Sequence, residues 1–116
     1  MTLIREAMAA CARMAERLAE TIAALTEATA YLSGALQSNP DHALAGATPY
    51  LRLFGLAAGG CYLARGALAS AREGLATSPH VAVARFFAEN LATAAPGLKE
   101  TVIGGADSTL SMALAV

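Results

Sequence analysis

The sequence predicts an all-α chain, folded as an up-down-up antiparallel bundle of three long helices. Three observations predict it. Apolar residues recur at steps of three and four, no segment shows the period-two alternation of a strand, and at two places a proline follows a hydroxyl residue where a helix should start.

The first helix is expected over about residues 3–37. Ile4, Met8, Cys11, Ala15, Leu18, Ile22, Leu25, Thr29, Leu32 and Leu36 trace a heptad stripe, and Arg5, Glu6, Arg13, Glu16, Arg17, Glu20 and Glu27 lie off it. A lone helix of that length is unstable in water, so the stripe has to dock on something. The breaks Ser38-Asn39-Pro40-Asp41, Thr48-Pro49 and Thr77-Ser78-Pro79 divide the rest. Thr48 and Ser78 are the expected N-caps, with Pro49 and Pro79 at the first helical positions.

The second helix is expected over about 49–75. Leu51, Leu53, Phe54, Leu56, Cys61, Tyr62, Leu63 and Leu68 point all round it, the pattern of a buried, central helix. Gly55, Gly59, Gly60 and Gly66 lie inside it. Each costs up to about 1 kcal/mol relative to alanine, and close approach of a neighbouring backbone is the usual reason to keep one. These glycines, with Tyr50 and Phe54, are the expected packing and interface residues. The third helix is expected over about 79–110. Val83, Phe87, Leu91, Ala94, Leu98 and Val102 hold one phase through Pro96-Gly97, which predicts a single helix kinked near Pro96. The tail from Ser111 is expected to fray.

At 116 residues the chain is one domain's worth, residues 1–116, with a modest core. Its net charge of -1 and lack of a basic cluster argue against a nucleic-acid surface. It is 56% hydrophobic and only 15% charged, against about 25% charged in an average soluble domain. No membrane span accounts for the excess. The uncharged run from Leu53 to Ala64 is bounded by Arg52 and Arg65, and about 20 apolar residues are needed. Burial against a partner protein or a second copy accounts for it. No signal peptide is read at the start, and a cytoplasmic, reducing setting is expected.

Few residues invite chemistry. Gly55-Leu56-Ala57-Ala58-Gly59-Gly60 lacks the Lys-Ser/Thr of a phosphate loop and has no strand before it. His42 and His80 belong to turns at opposite ends of the bundle, too far apart for one metal site. Cys11 and Cys61 are expected as buried, inert thiols, too far apart for a disulfide. No carboxylate pair has a spacing suited to acid–base work, and Ser108 and Ser111 have no histidine beside them. No catalytic, cofactor-binding or metal residues are assigned. A ligand pocket between the first two helices, near Tyr31, Tyr50 and Phe54, ranks last because no polar groups converge there.

The stretch Ala43-Leu44-Ala45-Gly46-Ala47-Thr48-Pro49-Tyr50-Leu51-Arg52-Leu53-Phe54-Gly55-Leu56-Ala57-Ala58-Gly59-Gly60 closely resembles the extra C-terminal domain of certain acyl-CoA dehydrogenases, the acetyl-CoA-dehydrogenase-like or methylmercaptopropionyl-CoA-dehydrogenase-like branch. Leu63-Ala64-Arg65, Ala84-Arg85-Phe86-Phe87-Ala88-Glu89, Gly105-Ala106-Asp107-Ser108 and Glu27-Ala28-Thr29-Ala30-Tyr31-Leu32 resemble further segments of that domain. The resemblance covers roughly Met14 to Leu110. Tyr31 and Cys61 stand where the family pattern has tryptophan, and Pro96 falls a few residues late. The resemblance implies that FAD, the catalytic glutamate and the acyl-CoA pocket belong to preceding domains. It implies no active-site residue here, and a role in packing on the dehydrogenase's catalytic domains and supporting a homo-oligomer. The alternative is a free-standing helical self-association module.

Overall fold

A computed structural model describes residues 2–74 and 79–115, and every regular element among them is helical. In order these are α1 (Thr2–Ser38), α2 (Pro40–Ala45), α3 (Ala47–Arg72), α4 (Pro79–Asn90), a 3₁₀ turn (Ala92–Ala94), α5 (Ala95–Gly104) and α6 (Ala106–Ala115).

Contacts along the helices give their directions. Leu18 meets Gly60 and Thr29 meets Tyr50, so α1 and α3 run antiparallel. Gly60 meets Phe87 and Gly46 meets Val102, so α3 opposes α4 and α5 in turn. Arg13 pairs with Glu89 and Glu27 with Lys99, so the last stretch runs alongside α1 in the same direction.

Three long helices are nevertheless too simple a description. The expected third helix is broken twice. It loses its α-helical ladder after Asn90, passes through the 3₁₀ turn, and restarts at Ala95 with Pro96 in the first turn. Proline costs nothing there, because the first N–H groups of a helix have no intrahelical acceptor. Pro96 therefore opens α5; it does not kink a continuous helix. A second bend at Gly105 starts α6, and the tail expected to fray is helical to Ala115.

The first interhelix turn also differs. It folds into α2, with Asn39 as N-cap and Pro40 at the start. Gly46, not Thr48, is the N-cap of α3. Thr48 and Pro49 lie within the first turn, where the missing N–H of proline is harmless. Thr77-Ser78 and the expected end of the second helix at residue 75 lie outside the described residues. Pro79 does open α4.

The core is made mainly of alanine. Among the described residues, eleven of the fourteen buried apolar ones are alanines, leaving Met14, Leu53 and Val102 as the larger ones. Ala24, Ala28, Leu53, Ala95 and Val102 form one cluster, and Met14, Ala67, Ala84 and Ala88 form another nearer the far end of α1. Small side chains let the helix axes approach closely, which displaces bulkier ones to the flanks.

Two expectations change as a result. On α1 the buried line is Met14, Thr21, Ala24, Ala28 and Ala35, with Leu18, Leu25 and Leu32 half-buried beside it. Cys11, Ala15, Ile22, Thr29 and Leu36 of the expected stripe are exposed; the side chains of Ile4 and Met8 lie outside the described set. And α3 is not buried all round. It buries Leu53, Ala57, Gly60, Ala67 and Ser70, while Leu51, Phe54, Tyr62 and Leu68 face outward.

Polar links fasten the layers. Thr21, fully buried on α1, donates its hydroxyl proton within its own helix to the Arg17 carbonyl at 2.8 Å and lies 3.5 Å from the Ala92 carbonyl across the contact. Arg13 reaches from α1 to Glu89 on α4 at 3.1 Å, and Arg85 joins the same carboxylate from one turn earlier. Lys99 on α5 lies 2.9 Å from Glu27 on α1 and 3.3 Å from Glu100.

Leu53 has no exposed surface, whereas Leu51, two residues before it, is 71% exposed. Leu53→Ala should cost about 2–5 kcal/mol, the range for a truncated core leucine. Leu51→Ala should cost no more than about 0.5 kcal/mol in the isolated chain. Urea unfolding of the two variants measures the contrast.

The Arg13 hydrogen bond, aided by Arg85, holds the Glu89 carboxyl below its ordinary value of 4.5. A depressed carboxyl stabilises the fold above 4.5, and that contribution is lost as pH falls through the folded value. Glu89→Gln should therefore lower the melting temperature at neutral pH. The difference from the parent chain should shrink steadily in melts run below pH 4.5.

Candidate functional site

The displaced large side chains leave a groove between the C-terminal half of α1, α2 and the start of α3. It encloses about 440 Å³ and is lined by Thr29, Leu32, Ser33, Leu36, Ala43, Leu44, Ala47, Tyr50, Leu51 and Phe54. Leu36 is 58% exposed, Leu44 68% and Phe54 49%. A second groove of about 420 Å³ runs along the other flank of α3, between Arg52, Gly55, Leu56, Phe87, Leu91, Ala94 and Leu98.

Local folding explains the first groove. At 3.6 residues per turn the i, i+4 spacing sets Leu32 and Leu36 on one side of α1. The Asn39-Pro40 corner starts α2, which carries Ala43 into the core and Leu44 outward. Gly46 then lets α5 come close: a Cβ there would sit 3.2 Å from the Val102 carbonyl oxygen. That approach fixes where α3 begins, and so places Tyr50, Leu51 and Phe54 along the groove.

The polar content of the groove is one hydroxyl pair and Ser33. The Thr29 hydroxyl gives its single proton to the Leu25 carbonyl at 2.7 Å. The contact of 2.9 Å between Thr29 and Tyr50 is therefore donated by the tyrosine. This arrangement orients an aromatic ring and offers no base or nucleophile. No lining residue carries a charge.

The expected interface residues divide between the two flanks of α3. Tyr50 and Phe54 line the first groove, and Gly55 lines the second. Gly59 and Gly60 face the Phe87 ring, and Gly60 also faces the end of Leu18. The neighbours that come close are thus side chains, not backbone. A Cβ at Gly55 or Gly66 would meet nothing within 4 Å. Tyr31 is not part of the groove placed near it from sequence; it packs against the core cluster. Ser33, Leu36, Leu44 and Gly46 were not singled out from sequence as site residues. The six residues of α2 are too few to show a helical period, and Gly46 is marked only by its partner across the fold.

The other candidates for chemistry are dispersed. His42 Nε2 lies 3.3 Å from Asp107 Oδ1, a contact that brings α6 back onto α2. His80 is exposed in the first turn of α4. Cys11 is exposed and Cys61 half-buried, both as free thiols, so the expectation of two buried cysteines fails for Cys11. Its side of α1 turns outward because the alanine line turns in. Among the described residues, no three of His, Cys, Asp and Glu gather as a metal site, and no helix is long and apolar enough to cross a membrane.

The glycines have different requirements, and mutation can separate them. Gly55→Ala and Gly66→Ala should each stabilise the isolated chain by about 0.5–1 kcal/mol, because helix propensity improves and nothing is displaced. Gly46→Ala should destabilise it by about 1–3 kcal/mol, because the Val102 carbonyl is backbone and must move with α5. Denaturant midpoints of the three variants read this directly.

The family model for the acetyl-CoA dehydrogenase C-terminal-like domain matches residues 1–113. Neither a curated protein nor a solved structure matches the chain. A match over nearly the whole sequence agrees with the motifs of α1, α3 and α4, and the chain belongs to the acetyl-CoA dehydrogenase C-terminal-like family.

Proposed function

We propose that this chain is the accessory helical domain of a flavin-dependent acyl-CoA dehydrogenase. It packs on the catalytic domains and supports their assembly, and the flavin and acyl-CoA chemistry belongs to those domains. The observation that carries this reading is the family match over residues 1–113, joined to the apolar surface its helices leave open. Exposed leucines and aromatics on both flanks of α3 are what a docking domain offers its host. The polar groups of the grooves orient side chains and supply no acid, base or nucleophile. The two free thiols fit a reducing, cytoplasmic setting.

Self-association is the second reading. It is favoured by the uncharged groove, which suits an identical surface as well as a foreign one. The glycines at positions 55 and 66 fit either reading, since they leave the outer side of α3 open to close approach.

The test uses the chain alone and then with its host. Purified alone, it should show no flavin absorbance and no acyl-CoA oxidation. Mixed with separately expressed, flavin-loaded catalytic domains, it should co-elute with them and raise their melting temperature. Stoichiometric FAD in the isolated chain, or failure to bind any catalytic domain, overturns the reading.

A further inference from the structure

We infer that α6 is a strap over α2. The two short helices open together as one unit, and the α2 wall of the first groove moves with them while the rest of the bundle stays folded. The inference concerns the chain by itself and is independent of the assembly role proposed above.

Neither helix is built to stand alone. α2 has six residues and α6 ten, and helices shorter than about 12 residues are marginal in water without tertiary contacts. Each brings little to the core. Ala43 is the one buried residue of α2. Within residues 106–112 of α6, Ala106 is buried, Leu110 is half-buried one turn later on the same side, and the rest are exposed. α6 packs mainly on α2, and α2 has α1 and α6 as its main neighbours. The polar fastening between them is the His42 ring N–H, which donates to the exposed Asp107 carboxylate at 3.3 Å. An exposed pair of this kind is weak by itself. A unit with so few buried apolar groups opens at lower free energy than the core beside it.

The bend that returns α6 to α2 is local. Gly105 alone separates α5 from α6, and its N–H bonds the Thr101 carbonyl at 3.0 Å. A Cβ there would sit 2.7 Å from that carbonyl oxygen, so the turn takes glycine. Beyond the strap, α2 supplies Ala43 and Leu44 to the lining of the first groove, whereas Leu32, Leu36, Tyr50 and Phe54 belong to α1 and α3. Release of α6 therefore frees one wall and leaves the others standing. By linkage, an occupant that touches Ala43 and Leu44 favours the docked α6, and release of α6 weakens its hold.

Hydrogen exchange of the full chain, followed by NMR where closing outruns exchange, tests this. The amides of Ala43, Gly46 and Thr109 bond the carbonyls of Asn39, Ala43 and Gly105. They should share one opening constant, at least tenfold larger than that of the central amides of α3. Ala106→Glu, which puts a charge on the docked side of α6, should raise that constant at least tenfold for all three and leave central α3 within twofold. Asp107→Ala, too mild to unfold the chain, should raise it about two- to fivefold, the worth of an exposed pair. Ala106→Glu should also bind more of the apolar dye anilinonaphthalene sulfonate, and adding Leu36→Glu should remove the gain. If Ala43 and Gly46 stay as protected as central α3 while Thr109 exchanges, the coupling is overturned. It is equally overturned if all these amides open at one rate, or if the variants speed Thr109 alone. A dye gain that survives Leu36→Glu overturns the link to the groove.

Discussion

Everything in this fold depends on how closely α1 can approach its neighbours. Thr21, Ala24, Ala28 and Ala35 form its inner line, and alanines at 57, 67, 84, 88, 92 and 95 are the buried residues of α3 and the last stretch that pack within the same bundle. A contact surface of methyl groups brings helix axes near the short end of the 8–10 Å range. At that spacing a leucine does not fit between the axes, except where Leu53 enters beside Ala24, Ala28 and Ala95. The larger side chains are therefore forced to the edges of each contact. The half-buried rows of Leu18, Leu25 and Leu32 and the exposed row of Ile22 and Leu36 follow from this, and so do the two grooves beside α3.

The alanine contact continues across the breaks in the last stretch. At 3.6 residues per turn Ala84, Ala88, Ala92 and Ala95 fall within about 80° of one another, so the alanine face holds its phase across the break. The 3₁₀ turn at Ala92–Ala94 and the restart at Ala95 keep Ala88, Ala92 and Ala95 all buried. Beyond Val102, the bend at Gly105 turns α6 onto α2, where Asp107 meets His42. The Gly46–Val102 contact and this second turn close the end of the bundle that holds the first groove. Groove geometry is thus set by backbone approach at one glycine and by a short helix between two turns.

Helix class, the extent of α1 and the Pro79 start could be read from periodicity and proline placement. The buried faces could not. Apolar pattern reading follows leucine, isoleucine and phenylalanine, and here those residues flank the contacts that alanine makes. Thus the Val83–Phe87–Leu91–Ala94–Leu98–Val102 phase was a true regularity of the sequence, but apart from the fully buried Val102 it named the edge of the interface. It also ran unbroken through the 3₁₀ turn, because a short tight turn hardly disturbs the phase of residues on either side. Tyr50 and Phe54 could be picked out from sequence as large aromatics at a helix start, and both line the first groove. Leu36 and Leu44 were not, because their exposure depends on the turn of α1 about its axis and on α2.

An alanine core has an energetic consequence that joins fold to function. Burying a methyl group contributes far less than burying a leucine side chain, at about 25 cal/mol per Å² of apolar area. A bundle whose buried residues are mostly alanine therefore holds its stability close to the cost of ordering the chain. Its large apolar side chains, kept at the edges, are unspent until another surface covers them. Partner binding then adds stability by mass action, about 2.7 kcal/mol when the partner is at a hundred times its dissociation constant. Any surface that covers the outward leucines and phenylalanines would therefore stabilise the alanine-lined fold as well as bind it.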